Sequence, residues 1–247
     1  MSVLILALVA GAVVGLALGG LGGGGSVLAV PALIYLLGFS PVAATTASLI
    51  IVAATSLSSL IAHARDGNVQ WRAGLLFAAA GIVPAMLGGL VAGRLPDTVL
   101  TVAFSVIAGL AAWRMLRPGR PASDGPVRPG RAAGAGAGLG AVTGVLGVGG
   151  GFLAVPALVG VLGLRMKAAV GASLLVIVIN SLAALATRTG TAHGLDWAVI
   201  APFTAAAILG AWDGKRLAAK ISGNRLQQVF AYVLLAVAAF MLVDSLV

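Results

Sequence analysis

The stretch Gly22-Gly-Gly-Gly-Ser-Val-Leu-Ala-Val-Pro-Ala-Leu33 decides the fold of this chain, because a near copy occurs further on. The copy reads Gly147-Val-Gly-Gly-Gly-Phe-Leu-Ala-Val-Pro-Ala-Leu158. Shifted by 125 positions, residues 24–60 lie on residues 149–185 without a gap, and 18 of the 37 paired positions are identical. Composition alone would give identity at roughly a tenth of these positions. The chain is therefore an internal duplication in which each copy carries an apolar segment broken by glycine.

The composition places the chain in a membrane. Hydrophobic residues make up 60% of its 247 residues and charged residues only 9%, and long apolar runs such as 73–93 and 98–113 recur throughout. A soluble protein of this size could not cover its surface with so little charge. We therefore predict an all-α polytopic membrane protein. The absence of cysteine excludes disulfides and thiolate metal sites.

Each copy predicts a helical hairpin followed by three transmembrane helices. The segments after the glycine runs have about a dozen apolar residues, fewer than the roughly 20 that a full crossing needs, so each pairs with the segment before it. The predicted organisation is a first repeat at 1–116, a polar Arg/Pro/Gly linker at 117–131 and a second repeat at 132–247. The predicted helical segments are 2–20, 26–37, 41–62, 72–93, 98–116, 132–146, 151–163, 166–187, 196–212 and 225–246.

The positive charges predict the orientation. The net charge of +9 sits in short loops between apolar spans, and such loops are cytoplasmic. A cytoplasmic linker at 117–131 then leaves 13 of the 15 cations inside, with Arg94 and Arg188 outside. Each half crosses the membrane an odd number of times, so the halves are predicted to be inverted repeats with both chain termini outside. Nucleic acid is not a predicted partner, because no basic and aromatic residues alternate.

The two glycine runs are the candidate site. Each run opens a helix whose first N–H groups lack partners and carry partial positive charge, so it can hold an anion without a buried cation. The alternative is that the glycines only permit close helix packing; their recurrence in register in two opposed repeats favours a site. The predicted substrate-binding residues are Gly23, Gly24, Gly25, Ser26, Ser48, Gly149, Gly150, Gly151, Ser173 and Asn180.

Polar side chains in the next span of each half also match across the duplication. Ser48 corresponds to Ser173, while Thr55 and Ser56 correspond to Asn180 and Ser181. Hydroxyls in membrane helices often bond only their own backbone, whereas a carboxamide amid aliphatic residues is costly unless it is paired. Asn180 is for this reason the strongest of these candidates.

Charged candidates are few. Asp213 precedes Lys215 and Arg216, so a surface ion pair competes with a role in proton coupling. His63 ends its span, where it is either an interfacial histidine or a proton relay.

Several motifs resemble those of one family. The two glycine stretches, the small-residue segments Ala43-Ala-Thr-Thr-Ala-Ser48 and Ala168-Ala-Val-Gly-Ala-Ser173, and Pro84-Ala-Met-Leu-Gly-Gly89 resemble the sulfite exporter TauE/SafE family. The resemblance covers nearly the whole chain and implies a multi-pass permease of the prokaryotic inner membrane for small anions, often sulfur oxyanions or organosulfonates. The chain departs from the family pattern at Trp212-Asp-Gly, where small residues are usual.

The sequence thus predicts a secondary transporter of a small anion, bound at the midplane between the repeats. Its transport is either downhill or coupled to an ion gradient, and the candidate coupling ions are the proton and sodium. Neither an ATP-binding motif nor a catalytic motif such as H-E-x-x-H or G-x-S-x-G is present. No cofactor or metal is predicted. Two alternatives stay open, namely an anion channel of the same architecture and a membrane-embedded enzyme or accessory subunit.

Overall fold

The computed structural model describes residues 2–92, 97–117, 129–146, 151–186 and 195–244. These residues form ten α-helices and no strand, and the second helix continues into a π-helical turn at Ala32–Leu36. The helices are α1 (Ser2–Leu21), α2 (Gly24–Pro31), α3 (Pro41–Arg65), α4 (Trp71–Ala92), α5 (Asp97–Leu116), α6 (Pro129–Leu146), α7 (Gly151–Gly160), α8 (Met166–Ala186), α9 (Trp197–Ala219) and α10 (Gly223–Asp244).

Several helix ends differ from the prediction by two residues or more, and the largest difference is at the end of α9. Helix α9 runs to Ala219 instead of ending at 212, so Lys215 and Arg216 lie on a helix and not in a loop. Helix α6 begins at Pro129, three residues inside the predicted linker. Proline suits a helix start because its fixed φ is helical and the missing N–H would have had no partner there.

The helices confirm a multi-pass membrane protein. Within the described residues, five are long and apolar enough to cross a bilayer, at Val3–Leu21, Ala43–Arg65, Met166–Ala186, Trp197–Ala219 and Gly223–Val243. Shorter apolar helices are found at Trp71–Leu87 and Ser105–Leu116. Large apolar side chains stand exposed on the outer faces, among them Val9, Val83 and Leu209, the last 70% exposed. A hydrocarbon solvent explains such a surface, and water does not.

Helix α1 packs along α9 through a row of glycines. A Cβ on Gly11, Gly15 or Gly19 would fall on the backbone of Phe203, Ala207 or Ala211 of α9. Glycine at every fourth position lets the two backbones approach closely, which is how membrane helices pack without a hydrophobic driving force between them. The partner numbers rise together along both helices, so α1 and α9 run parallel.

The same contact recurs between α6 and α4. A Cβ on Gly136 or Gly140 of α6 would fall on the backbone of Phe77 or Gly81 of α4. These two glycines correspond to Gly11 and Gly15 after the shift of 125. The first helix of each half therefore packs against the fourth helix of the other half.

The turn after each short helix is also duplicated. Gly38 and Gly163 occupy equivalent positions with φ of 70° and 68°, a conformation that glycine adopts without steric cost. In both turns the glycine N–H bonds the carbonyl four residues earlier at 3.1 Å, and the next N–H bonds the carbonyl six residues earlier at 3.0 and 3.1 Å. The duplication thus extends from the sequence to the backbone hydrogen bonds.

Helices α3 and α8 form the centre of the structure. They pack against each other and are the most buried of the five long apolar helices. A Cβ on Gly171, near the start of α8, would fall on the carbonyl of Asn68, just past the end of α3. The two helices, which are equivalent in the duplication, therefore run antiparallel.

Candidate functional site

The first glycine run is inserted against the second half of the chain. Helix α1 ends at Leu21, and Gly22 turns the chain with a φ of 71°. A Cβ on Gly22 would stand 2.5 Å from Ser173 Oγ and 3.2 Å from Val155 Cγ2. The turn therefore lies between α7 and α8 at a point where no side chain fits, and it brings the run to Ser173.

The predicted residues Gly23, Gly24, Gly25 and Ser26 form the start of α2. Gly23 is its buried N-cap and, lacking a side chain, provides no side-chain cap, while Gly24 and Ser26 lie in the first turn. A Cβ on Gly25 would approach Leu18 of α1 to 2.5 Å. Gly25 thus serves the close packing of α1 on α2, which is the role that the packing interpretation assigns to it.

The second glycine run opens α7. Gly151 is its first residue and is buried, whereas Gly149 and Gly150 lie outside the described residues. Helices α2 and α7 contact each other. The helices that follow the two glycine runs therefore lie side by side, although their sequences are far apart in the chain.

Ser48 and Ser173 direct their hydroxyl protons to the backbone. Each is buried, and each donates a 2.8 Å hydrogen bond to the carbonyl three residues earlier, that of Thr45 or Val170. The two bonds are equivalent in the duplication, and they leave only the oxygen of each hydroxyl as an acceptor. Asn180 is half-buried on α8, one residue before Ser181.

Four other hydroxyls on the same helices are buried without a hydrogen-bond partner among the described residues. They belong to Thr55, Ser56 and Ser59 of α3 and Ser181 of α8, each at most 1% exposed. The sequence offered one indication of this group, the match of Ser56 to Ser181 across the duplication. It does not show whether a hydroxyl bonds the backbone of its own helix. These residues were therefore missing from the predicted site.

A polar cluster joins the ends of α1, α3 and α9. Lys215 Nζ donates to the carbonyl of Ala62 at 2.6 Å and lies 2.7 Å from an oxygen of Asp66. This hydrogen bond from Lys215 holds the pKa of the Asp66 carboxyl below its ordinary value. His63 Nε2 lies 3.1 Å from the carbonyl of Gly19, to which it donates, and its ring is buried within the protein.

The segment Trp212-Asp-Gly214 carries structural contacts. Trp212 Nε1 donates to Ser58 Oγ at 2.8 Å and so ties α9 to α3. Asp213 pairs with Arg216 at 3.4 Å, and both side chains are exposed, as a surface ion pair would be. A Cβ on Gly214 would fall on the carbonyl of Leu16, so this glycine belongs to the contact between α1 and α9.

The architecture defines a class, a helical multi-pass membrane protein built from two copies of one unit. Residues 7–241 match the model of the family described as sulfite exporter TauE/SafE, and the chain belongs to that family. It is similar to a "Probable membrane transporter protein" of Xylella fastidiosa (strain 9a5c), with 34% identity over 249 residues that cover 97% of this chain and 95% of the relative.

A second relative has a name of the same kind. The "Probable membrane transporter protein YunE" of Bacillus subtilis (strain 168) is 27% identical over 258 residues, which cover 94% of this chain and 90% of that protein. The family and these names indicate a membrane transporter, and they give no indication of an enzyme.

Proposed function

We propose that the protein is a secondary transporter of a small anion, a sulfur oxyanion or an organosulfonate, bound between its two halves. The observation that carries the proposal is the paired placement of the glycine runs. The helices that follow the runs lie side by side, and the turn at Gly22 reaches Ser173 in the other half. A site made from both halves can close and open as the halves move against each other.

Backbone donors are the chemistry that this region offers to an anion. The start of α2 has no side-chain cap, and the first N–H groups of a helix bind anions through their donors and the helix dipole. The Gly25 N–H makes only a long bond of 3.4 Å, to the Gly22 carbonyl. The charged residues of α3 and α8 lie at helix ends, at Arg65 and Lys167, and both are exposed. A substrate held by backbone donors is released more readily than one paired with a buried cation, which suits a carrier.

Substitution of a larger residue for glycine, inside and outside the runs, tests whether the glycine runs bind the anion. Gly24→Val and Gly149→Val are expected to abolish flux of isotope-labelled sulfite and sulfate in proteoliposomes, because a side chain would stand where the anion approaches the backbone. Gly109→Val is the control, since a Cβ there meets no atom within 4 Å. If Gly109→Val stops flux as thoroughly as Gly24→Val, the glycines serve packing and the site is wrong. Counterflow in the same vesicles separates a carrier from an anion channel.

We also propose that the two halves have inverted topology with both termini outside. The antiparallel packing of α3 and α8, equivalent in the duplication, supports this arrangement. The chain contains no cysteine, so single cysteines at Ser2, Ser123 and Ser245 can be labelled in cells with an impermeant thiol reagent. Labelling is expected at Ser2→Cys and Ser245→Cys but not at Ser123→Cys. Opposite results at the two termini would end the inverted arrangement.

A further inference from the structure

We propose that the four unpartnered hydroxyls of Thr55, Ser56, Ser59 and Ser181 form a second contact site for the transported oxyanion, at the centre of the protein. This inference rests on the proposed function and adds a site separate from the glycine runs. A buried hydroxyl left without a partner destabilises a protein, because it has lost its bonds to water and gained none in return. Four of them on two packed helices represent a cost that a bound ligand would remove.

These hydroxyls differ from four other helix hydroxyls among the described residues. Ser48, Ser173, Thr143 and Thr204 each donate to a carbonyl three or four residues earlier in their own helix. That bond is open to any serine or threonine in a helix. The hydroxyls of the central group do not make it, so their donors stay available to a molecule between α3 and α8.

The four residues lie within about one helical turn of the same depth. Helices α3 and α8 run antiparallel from the contact of Asn68 with Gly171. Counted back along α3 from its end at Arg65, Ser59 lies six residues and Thr55 ten residues away, or about 9 and 15 Å. Ser56 lies between them, and Ser181 lies ten residues after Gly171, or about 15 Å along α8. Ser56 and Ser181 are equivalent in the duplication, and their helices α3 and α8 pack against each other.

The glycine run lies at another depth. Gly22 contacts Ser173, which is eight residues before Ser181 on α8, or about 12 Å along the helix. A small oxyanion is too short to touch both at once. The hydroxyls therefore form a separate contact site, further along α8 than the point where Gly22 contacts it.

The chemistry of the group favours an oxyanion over a cation. Hydroxyls can donate to an anion or offer oxygens to Na⁺, but a buried cation is usually held by carboxylates or by the carbonyls of unwound backbone, and α3 and α8 are unbroken helices. The six acidic residues of the chain are all aspartates, and none lies within α3 or α8. Neutral donors compensate an oxyanion in the way that an oxyanion hole does.

The experiment measures anion binding and unliganded stability in the same variants. The purified full-length protein is heated in detergent with and without sulfate or sulfite, in Na⁺ and in K⁺. The variants Thr55→Val, Ser56→Ala and Ser181→Ala each remove one hydroxyl. Thr204→Val is the matched control, because its hydroxyl is committed to the carbonyl of Ile200 at 2.7 Å.

The expected result is a loss of binding without a loss of stability. Each central variant should bind the anion about three- to tenfold more weakly, the worth of one net hydrogen bond. Its unliganded melting temperature should equal or exceed that of the wild type, because an unpaired polar group is removed. Thr204→Val should bind as the wild type does, and the exchange of Na⁺ for K⁺ should change nothing.

Three other outcomes would overturn the proposal, and they distinguish failure of the hydroxyl site from failure of the proposed transport function. If the wild type is stabilised by anion and all three variants bind equally well, the hydroxyl site is wrong and the proposed transport stands. If stabilisation requires Na⁺, the hydroxyls hold a cation and the proposal fails. If no anion stabilises the wild type and none is transported, the proposed function itself fails and the hydroxyl site fails with it.

Discussion

A single methyl group should have opposite effects on stability at Gly15 and at Gly109. Both glycines lie within helices, where alanine is intrinsically better by about 1 kcal/mol. A Cβ on Gly109 meets no atom within 4 Å, whereas one on Gly15 would fall on the carbonyl oxygen of Ala207. We expect Gly109→Ala to stabilise the protein and Gly15→Ala to destabilise it.

The size of the effect follows from the contact distances. The added methyl at Gly15 would also stand 2.7 Å from the Cα and the carbonyl carbon of Ala207, whereas carbon atoms pack at about 3.5–4.0 Å. Helices α1 and α9 would have to separate by about 1 Å, and a gap of that size forfeits a quarter to a half of the dispersion energy. Overpacking of this kind costs about 1–3 kcal/mol. Because both variants gain the same intrinsic helix term, they should differ by this amount, roughly 1–3 kcal/mol, in unfolding free energy.

Reversible unfolding by SDS in mixed micelles, followed by tryptophan fluorescence, measures both variants against the wild type. Gly140→Ala provides an internal replicate, because its Cβ would fall on the backbone of Gly81 in the equivalent contact between α6 and α4. It should destabilise by about as much as Gly15→Ala does. If Gly15→Ala is as stable as Gly109→Ala, the close approach of α1 to α9 is wrong. The packing of the first helix of each half on the fourth helix of the other half is then wrong as well.

Two further predictions concern the contacts of α9. Lys215→Met should lower the unfolding free energy by about 1–2 kcal/mol, because it removes a charged donor from the Ala62 carbonyl. Because the pKa of Asp66 is lowered, its pairing with Lys215 stabilises the fold above about pH 4, and this stabilisation is lost as the pH falls through the lowered pKa. The unfolding free energy of Asp66→Asn should therefore depend less on pH in this range than that of the wild type. An unchanged pH dependence would contradict the pairing. Trp212→Phe should cost about 1 kcal/mol, and a double-mutant cycle with Ser58→Ala should show coupling; additive effects would rule out the hydrogen bond between them.

Sequence patterns were sufficient for the class of fold and for most helix bounds. A bilayer selects apolar segments by length and composition, which are local properties; the predicted segment 98–116 differs from α5 by one residue, and 166–187 from α8 by one residue. The end of α9 was predicted too early because Trp212-Asp-Gly214 is followed by Lys215 and Arg216, a local pattern that is typical of a helix end and a loop. In the structure Trp212 bonds Ser58 and Gly214 packs on Leu16, and both contacts keep the helix continuous.

The candidate site was only partly readable from the sequence. The duplication drew attention to the glycine runs and to Ser173, and the structure places Gly22 against Ser173. It could not show that the Ser173 proton is committed to the carbonyl of Val170 while Ser181 has no partner. The hydroxyl of a serine on a helix can either bond a carbonyl of its own helix or remain unbonded. The side-chain rotamer and the neighbouring residues decide which of the two occurs.

The sequence by itself determined that this is a duplicated helical membrane protein, because composition, span length and self-similarity are properties of the chain read in order. Only the tertiary structure decided how the halves interlock. The contact of Gly15 with Ala207 and that of Gly140 with Gly81 join segments far apart in the chain, and no local pattern specifies the partner of a glycine row. Backbones that fit closely enough to exclude a methyl group select that partner, and such a fit exists only once the helices have assembled.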